Sequence, residues 1–150
     1  VSNNRNSFYS LDAGSGFINW EQKVNTNIKS TLINDYLFSI TMNGFLTIID
    51  SKNGNLIRAT DIFSFLRKKN RKNLITRKTI KSKEKIEPVG FIVGIENLYV
   101  TTNTGRLLTV NIKTGKTQSV IKIDNGKISR PFIMNNNLFL ATDNSIIKII

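Results

Sequence analysis

The fold of this chain follows from one short stretch that recurs along it, Tyr9-Ser10-Leu11-Asp12-Ala13-Gly14-Ser15-Gly16-Phe17-Ile18-Asn19-Trp20. The stretch consists of an apolar run, then Asp, three residues and Gly. The same pattern returns with Asp50 before Gly54 and with Asn111 before Gly115, and a further apolar run covers residues 147–150. Repetition of this kind is the sequence signature of a repeat architecture.

The spacing between copies gives the size of the repeating unit. Asp12 and Asp50 are 38 residues apart, whereas Asp50 and Asn111 are 61 apart, and the excess coincides with a strongly basic segment. The last interval is 40 residues if Ile150 ends the fourth apolar run. This alignment predicts two shared positions in the repeat, the first held by Phe8, Leu46, Leu107 and Ile147 and the second by Leu11, Ile49, Val110 and Ile150.

Turn-forming residues divide one period into four short strands, at residues 28–33, 36–41, 45–50 and 55–60. The intervening turns contain Asn34-Asp35, Asn43-Gly44 and Asn53-Gly54, and Asn-Gly pairs supply the positive φ that tight hairpins need. Four short antiparallel strands in roughly 40 residues are typical of a β-propeller blade. The sequence therefore predicts an all-β propeller. A β-sandwich also spaces its strands evenly, but it does not predict residues that recur at fixed positions.

The predicted boundaries give about 3.5 blades: a blade remnant at 1–24, a blade at 25–62, a basic insertion at 63–85, a blade at 86–124 and a partial blade at 125–150. Propellers usually close with about 4–8 blades. We expect the chain to be part of a ring of 7–8 blades; pairing with a second copy or with a missing half, and an unusual closure, are the alternatives. The start, Val1-Ser2-Asn3-Asn4, is neither an initiator Met nor a signal sequence, which indicates a processed product or a fragment.

The first copy resembles the quinoprotein (PQQ-like) propeller repeat, whose pattern runs apolar-x-Asp-x-x-x-Gly-x-x-x-Trp. The resemblance implies that the Gly permits the turn between a blade's third and fourth strands, and that Trp20 docks against the next blade. Arg58 and Ser119 stand where later copies would carry the Trp. We therefore expect less regular packing between blades than in the family. Pro88 and Pro131 are predicted to begin first strands, where proline is tolerated.

The later part of the chain is similar to the C-terminal half of the BamB-type outer-membrane assembly lipoproteins, non-catalytic members of the same family. The similarity lies in three segments, Pro88-Val89-Gly90-Phe91-Ile92-Val93, Gly105-Arg106-Leu107 and Ile128-Ser129-Arg130-Pro131-Phe132-Ile133. It implies a periplasmic, outer-membrane-associated scaffold that binds a protein partner, a subunit of the β-barrel assembly complex, and needs no cofactor. No stretch matches the family's partner-contacting loops residue by residue.

Composition argues against catalysis. The chain has no His and no Cys, so it lacks the commonest general base, the commonest transition-metal ligand and any thiolate. Asp12, Asp35 and Asp50 sit at turns. By resemblance, a quinoprotein dehydrogenase would need a calcium-binding Glu and Asn, a catalytic Asp and usually a vicinal Cys pair. We predict no catalytic, cofactor-binding or metal-binding residues; a fragment of such a dehydrogenase and a ligand-sensing ectodomain are the alternatives.

Positive charge is concentrated in one segment. The chain carries a net charge of +12, and ten basic residues face a single acid, Glu84, between Arg67 and Lys85. The candidate partner-binding residues are Arg67, Lys68, Lys69, Arg71, Lys72, Arg77 and Lys78. A solvated loop is one interpretation; contact with an acidic protein surface or anionic lipid headgroups is the other. Nucleic acid is disfavoured because the segment contains no aromatic residue for base stacking.

The residues just before this segment predict a short helix. Ile62, Phe63, Phe65 and Leu66 have a spacing compatible with one apolar helical face. Asp61 is the candidate N-cap.

Overall fold

The computed structural model describes residues 7–67 and 85–149, and its strands form four separate antiparallel sheets. In each sheet, neighbouring strands are consecutive along the chain. We call the sheets blades 1 to 4. Blade 1 comprises β1 (Phe8–Leu11) and β2 (Ile18–Gln22), and blade 2 comprises β3 (Thr31–Ile33), β4 (Tyr36–Ile40), β5 (Phe45–Asp50) and β6 (Leu56–Asp61). Blade 3 comprises β7 (Pro88–Val93), β8 (Asn97–Thr102), β9 (Arg106–Asn111) and β10 (Thr117–Lys122), and blade 4 comprises β11 (Phe132–Met134), β12 (Asn137–Ala141) and β13 (Ile146–Lys148).

The blades pack face to face, and three apolar clusters hold them together. Phe8, Val24 and Ile49 join blade 1 to blade 2. The largest cluster joins blade 2 to blade 3, through residues that include Ile40 and Phe91. The third cluster joins blade 3 to blade 4. The architecture is therefore an all-β partial propeller with two complete four-stranded blades, as the sequence predicted.

The repeated motif forms the turn between the third and fourth strands in blades 1, 2 and 3. In the first copy, Gly16 N donates to Asp12 O at 2.9 Å, and the same backbone bond recurs at Asp50 and Asn111. The closing glycines have φ values of +75°, +76° and +70°. L-residues with a Cβ rarely adopt this left-handed conformation, which explains why glycine returns at this position.

Up-and-down connectivity gives the partial propeller two chemically distinct faces. Strand direction alternates, so the first and third turns of a blade lie at one end and the second turn at the other. The turn face, as we call it, carries the first turns (34–35, 94–96 and 135–136) and the third turns (12–17, 51–55 and 112–116). The connector face carries the second turns (41–44, 103–105 and 142–145) and the described chain between blades (23–30, 62–67, 85–87 and 123–131).

Neighbouring blades are joined by the residue at the motif's Trp position. Trp20 Nε1 donates to Ser51 O at 2.8 Å, and the indole covers Gly54 so closely that a Cβ there would lie 2.7 Å from it. Docking against the next blade is therefore confirmed for Trp20. Arg58 makes the equivalent contact: its Nη1 donates to Lys113 O at 2.6 Å and to Ile112 O at 3.0 Å. The guanidinium keeps the hydrogen bonds to the turn, but Gly115 lies closest to Thr60 and not to Arg58, so the packing differs between the two joints, in line with the expectation of less regular packing.

The register of blade 4 differs from the predicted alignment by one residue. Leu107 pairs with Thr101, whereas Ile147 pairs with Leu140, the residue whose counterpart in blade 3 is Val100. The physical reason is the distance along the chain between the last paired residues of the two strands: four residues lie between Ala141 and Ile146, whereas five lie between Ile40 and Leu46 and between Thr101 and Leu107. The predicted grouping of Ile147 with Phe8, Leu46 and Leu107 is therefore wrong. Ile147, directly opposite Leu140, lies on the side of the sheet that faces blade 3, and Lys148 lies on the other side.

Two local predictions were also wrong. Strand β3 begins at Thr31 and not at Ile28, because Ile28 N donates to Thr26 Oγ1 at 3.3 Å instead of entering the sheet. Asp61 is not a helix N-cap. It ends β6 and accepts a hydrogen bond from Phe63 N at 3.1 Å, while the single helical turn α1 (Ser64–Arg67) starts three residues later.

Candidate functional site

Most of the predicted partner-binding residues lie outside the described part of the chain. Arg67 is the last residue of α1, and the other six, Lys68, Lys69, Arg71, Lys72, Arg77 and Lys78, fall within 68–84. The described residues on either side show where this basic segment departs from the fold. Its two flanks belong to the connector between blades 2 and 3, so it leaves and re-enters on the connector face.

The departing flank is fixed by a buried aromatic ring. Phe63 is 2% exposed and lies directly over Gly44, in the second turn of blade 2, where any Cβ would collide with the ring. Ile62 N donates to Gly44 O at 3.0 Å and fixes the backbone beside it. Phe65, two residues further, is 69% exposed. The chain therefore leaves blade 2 from a rigid base with an aromatic side chain in solvent.

The returning flank is held by Asn103, in the second turn of blade 3. Its Nδ2 donates to Lys85 O at 2.8 Å, and its Oδ1 accepts from Glu87 N at 2.9 Å. A third bond runs from Asn103 N to Glu87 O at 3.0 Å. Lys85 and Glu87 also form an ion pair at 3.0 Å. The sequence analysis did not identify Asn103, although its position in the predicted second turn of a blade could have indicated it.

A pair of cations lies next to this clamp. Arg106 and Lys122 are directly opposite each other at the ends of β9 and β10. Both side chains bind Thr104, with Arg106 Nη1 2.7 Å from Thr104 Oγ1 and Lys122 Nζ 2.8 Å from Thr104 O. Neither forms an ion pair with any residue in 7–67 or 85–149. Sequence reasoning missed the pair because 16 residues separate its members; the hairpin register around Gly115 would have shown it.

The turn face has a different character, because exposed apolar side chains stand among acids. Ile95 is 101% exposed at the tip of a first turn, beside the exposed Glu96. Other exposed apolar side chains at this face are Phe17, Ile18, Tyr36, Leu56 and Met134. Asp35 and Lys52 link the first and third turns of blade 2 through a 2.8 Å hydrogen bond, which raises the pKa of the Lys52 side chain above its ordinary value.

Asp12 shows the electrostatics of the repeated turn. Its Oδ1 accepts from Ser15 Oγ at 2.7 Å, from Ser15 N at 2.7 Å and from Gly14 N at 3.1 Å. These hydrogen bonds, those from Ser15 foremost, lower the pKa of the Asp12 carboxyl. Asn111 accepts from Thr114 N and Thr114 Oγ1 in the same way without a charge. The role of the motif carboxylate is thus to hold a turn.

No three His, Cys, Asp or Glu side chains come together as a metal site within residues 7–67 and 85–149. The same two ranges contain no helix that is long and apolar enough to span a bilayer. The structure brings two groups of residues together. On the connector face, the second turns lie beside the flanks of the basic segment, and on the turn face the exposed apolar side chains lie at the ends of the blades.

Comparison with known proteins places this geometry among propellers. No family model matches the sequence, and no curated protein matches it. Among solved structures, BamB from Moraxella catarrhalis superposes with a TM-score of 0.66 at 11% identity, over 95% of this chain and 37% of that one. The computationally designed Ika4 protein gives a TM-score of 0.67 at 8% identity, over 97% of this chain and 80% of that one.

A third neighbour is the β-propeller domain of Cps50 (Swd1) from Myceliophteria thermophila, with a TM-score of 0.60 at 11% identity, over 91% of this chain and 42% of that one. The chain thus spans well under half the length of BamB and of the Cps50 domain. At these identities the likeness concerns the fold alone, and the fold of the chain is that of a β-propeller.

Proposed function

We propose that the chain is a non-catalytic scaffold that binds a protein partner through its turn face. The observation that carries this proposal is the concentration of exposed apolar side chains there, with Ile95 wholly in solvent and Phe17 76% exposed. Exposed apolar groups close together are a common mark of a protein-binding surface. The backbone beneath them is held by the repeated third turns, so binding would order few residues and lose little entropy.

The finer proposal is that the chain belongs to a quinoprotein-type propeller and forms the C-terminal half of a BamB-type protein. The recurrence of Asp, Gly and the docking Trp20 supports it, as does the likeness of fold to BamB. On this proposal the molecule resides in the periplasm, associates with the outer membrane as part of a lipoprotein, and binds a subunit of the β-barrel assembly machinery. The likeness to the Cps50 propeller supports only the coarser role of a protein-binding scaffold.

The absence of catalysis is part of the same proposal. The proposal that the chain is not catalytic is supported by the role of the motif side chains. Asp12, Asp50 and Asn111 each stabilise a turn by accepting hydrogen bonds from nearby backbone N–H groups. The motif residues therefore have a structural role that accounts for their recurrence without catalysis. A fragment of a quinoprotein dehydrogenase remains the competing hypothesis, and titration of the full-length protein with PQQ and Ca²⁺ tests it: stoichiometric binding would favour the dehydrogenase.

Site-specific photocrosslinking in the native host tests the scaffold role. A benzophenone amino acid replaces Ile95 on the turn face or, as a control, the exposed Gln118 on the outer strand β10. We expect a crosslink from position 95 to a subunit of the β-barrel assembly machinery, and none from position 118. Equal crosslinking from both sites, or crosslinks from position 95 only to unrelated cytosolic proteins, would overturn the proposal.

A further inference from the structure

The connector face carries two cations at a place where the fold does not require them. Arg106 and Lys122 are cross-strand partners in blade 3, and the equivalent pair in blade 2 is Phe45 with Asp61. Like charges placed directly opposite each other on a sheet are destabilising. Since blade 2 forms the same hairpin without them, the pair is better explained by something that it binds.

The pair is also held in place before any ligand arrives. Thr104 is buried, and it accepts hydrogen bonds from both cations, through Oγ1 from Arg106 and through the backbone O from Lys122. Arg106 shares a side of the sheet with Leu108, whose cluster packs on blade 2, so the pair lies toward the blade from which α1 departs. The Asn103 clamp, with Lys85, is in the same second turn.

Cations outnumber acids among the described residues of the connector face, where Lys23, Lys29, Lys85, Lys127 and Arg130 accompany the pair and the acids are Asp61, Glu87, Asp124 and Asp143. Glu87 pairs with Lys85. Asp124 Oδ1 accepts from Gly126 N, and Asp61 Oδ1 accepts from Phe63 N.

Apolar tips accompany the cations on the connector face. Phe65 is 69% exposed, Ile146 is 70%, Ile121 is 47% and Phe45 is 38%. Cations that alternate with protruding apolar side chains are the pattern of a surface that lies on a bilayer, with the apolar groups at the headgroup boundary and the cations among anionic headgroups. Two of the four tips are aliphatic and cannot stack on bases, which favours lipid over nucleic acid.

We propose that the connector face binds an anionic lipid bilayer, with the Arg106–Lys122 pair contacting headgroup phosphates and Phe65 entering the interface. This orientation leaves the turn face directed away from the membrane and free for a protein partner. The inference does not rest on the scaffold role, because it concerns the opposite face and a partner that contains no protein.

Flotation of the chain with vesicles tests the proposal. We expect binding to vesicles of phosphatidylcholine with phosphatidylglycerol, and none to phosphatidylcholine alone. The double variant Arg106→Gln/Lys122→Gln should weaken binding about 25-fold, from about fivefold per cation near an anionic surface. The matched control, Lys113→Gln/Lys116→Gln, removes the same charge from the turn face and should change binding less than twofold.

Two further variants and a folding control complete the test. Arg106→Lys should retain most of the binding, since it keeps the charge, and Phe65→Ser should weaken binding more than Phe17→Ser on the turn face. Circular dichroism establishes that each variant is folded. The proposal is overturned if the two double variants lose binding equally, if neutral vesicles bind as well as anionic ones, or if a DNA duplex or an acidic polypeptide binds while vesicles do not.

Discussion

Arg58 lies across the third turn of blade 3 as Trp20 lies across the third turn of blade 2. Both side chains donate to backbone carbonyls of the turn, Trp20 to Ser51 O and Arg58 to Ile112 O and Lys113 O. Gly54 lies beneath the indole, whereas a Cβ on Gly115 would lie 2.6 Å from Thr60 Oγ1 and 3.3 Å from Arg58 Cδ. Two unlike side chains therefore make the same kind of hydrogen bond to the turn, while the residue that covers the glycine differs between the joints.

Replacement of Trp20 should loosen the joint between blades 1 and 2. Trp20→Ala removes the half-buried indole, its stacking on Phe8 at 6.2 Å and its bond to Ser51 O, so we expect a loss of about 2–3 kcal/mol in the free energy of unfolding. Urea denaturation measures it. Phe17→Ala, at a mainly exposed ring, should cost less than about 0.5 kcal/mol; similar losses for both variants would contradict this account.

Arg58→Ala should destabilise the next joint by about 1.5–3 kcal/mol, because hydrogen bonds from a charged group to Ile112 O and Lys113 O are lost. The acceptors are carbonyls and not carboxylates, so the loss should be almost the same in 50 mM and 500 mM salt. Denaturation of wild type and variant at both salt concentrations checks it. A loss that disappears at high salt would mean that Arg58 acts through long-range charge instead.

Two glycines with nearly the same backbone allow conformation and space to be separated. Gly16 and Gly44 have φ values of +75° and +80°, but only Gly44 lies against the ring of Phe63. Gly16→Ala should cost about 1–2 kcal/mol from the left-handed conformation alone. Gly44→Ala should cost about 1–3 kcal/mol more, through overpacking of the buried ring. Thermal unfolding compares the two, and equal costs would exclude the close contact with Phe63.

The Asp12 turn should titrate below the ordinary carboxyl range. Hydrogen bonds from Ser15 and Gly14 lower the pKa of Asp12 in the folded chain below 3.8, so their stabilising contribution is complete above pH 3.8 and is lost as the pH falls through the lower, folded pKa. A carboxyl-detected NMR titration measures it. Ser15→Ala should move the pKa back toward 3.8. Asp12→Asn, which copies Asn111, should keep the turn and abolish its pH dependence.

The register of blade 4 can be tested at two adjacent residues. Ile147 faces the cluster between blades 3 and 4, so Ile147→Asn should lower the free energy of unfolding by about 2–3 kcal/mol, whereas Lys148→Gln should change it by less than about 0.5 kcal/mol. Chemical denaturation provides both values. If Lys148→Gln proved the more damaging change, the unshifted alignment of this strand would be restored.

The sequence predicts the blades well because the residues that define them act locally. Asp12 and Gly16 make the same turn wherever they occur, and Asn34, with φ +51°, turns its hairpin as Asn-Asp pairs do. The error in blade 4 has a local cause as well. A second turn that is one residue shorter leaves no mark in the apolar pattern, because Ile146, Ile147 and Ile149 offer an apolar residue in either register.

The surfaces could be predicted only in part. The charge of the segment between Arg67 and Lys85 is visible in the sequence, but the segment itself lies mostly outside the described residues. The Arg106–Lys122 pair and the Asn103 clamp depend on contacts between residues that are 16 or more positions apart, which a reading of neighbours does not provide. Arg58 was taken as a departure from the motif because Arg and Trp differ in residue type, and the sequence does not show that both side chains donate hydrogen bonds to the same turn.

The connector between blades 2 and 3 is anchored at both ends, and this bears on whether its length can change during evolution or engineering. Phe63 on Gly44 fixes one end of the connector to blade 2, and Asn103 on Lys85 and Glu87 fixes the other end to blade 3. We expect an insertion or deletion that preserves both anchors to leave these contacts in place. This makes residues 68–84 a natural position for divergence among relatives, and for grafting a foreign peptide without redesign of the propeller.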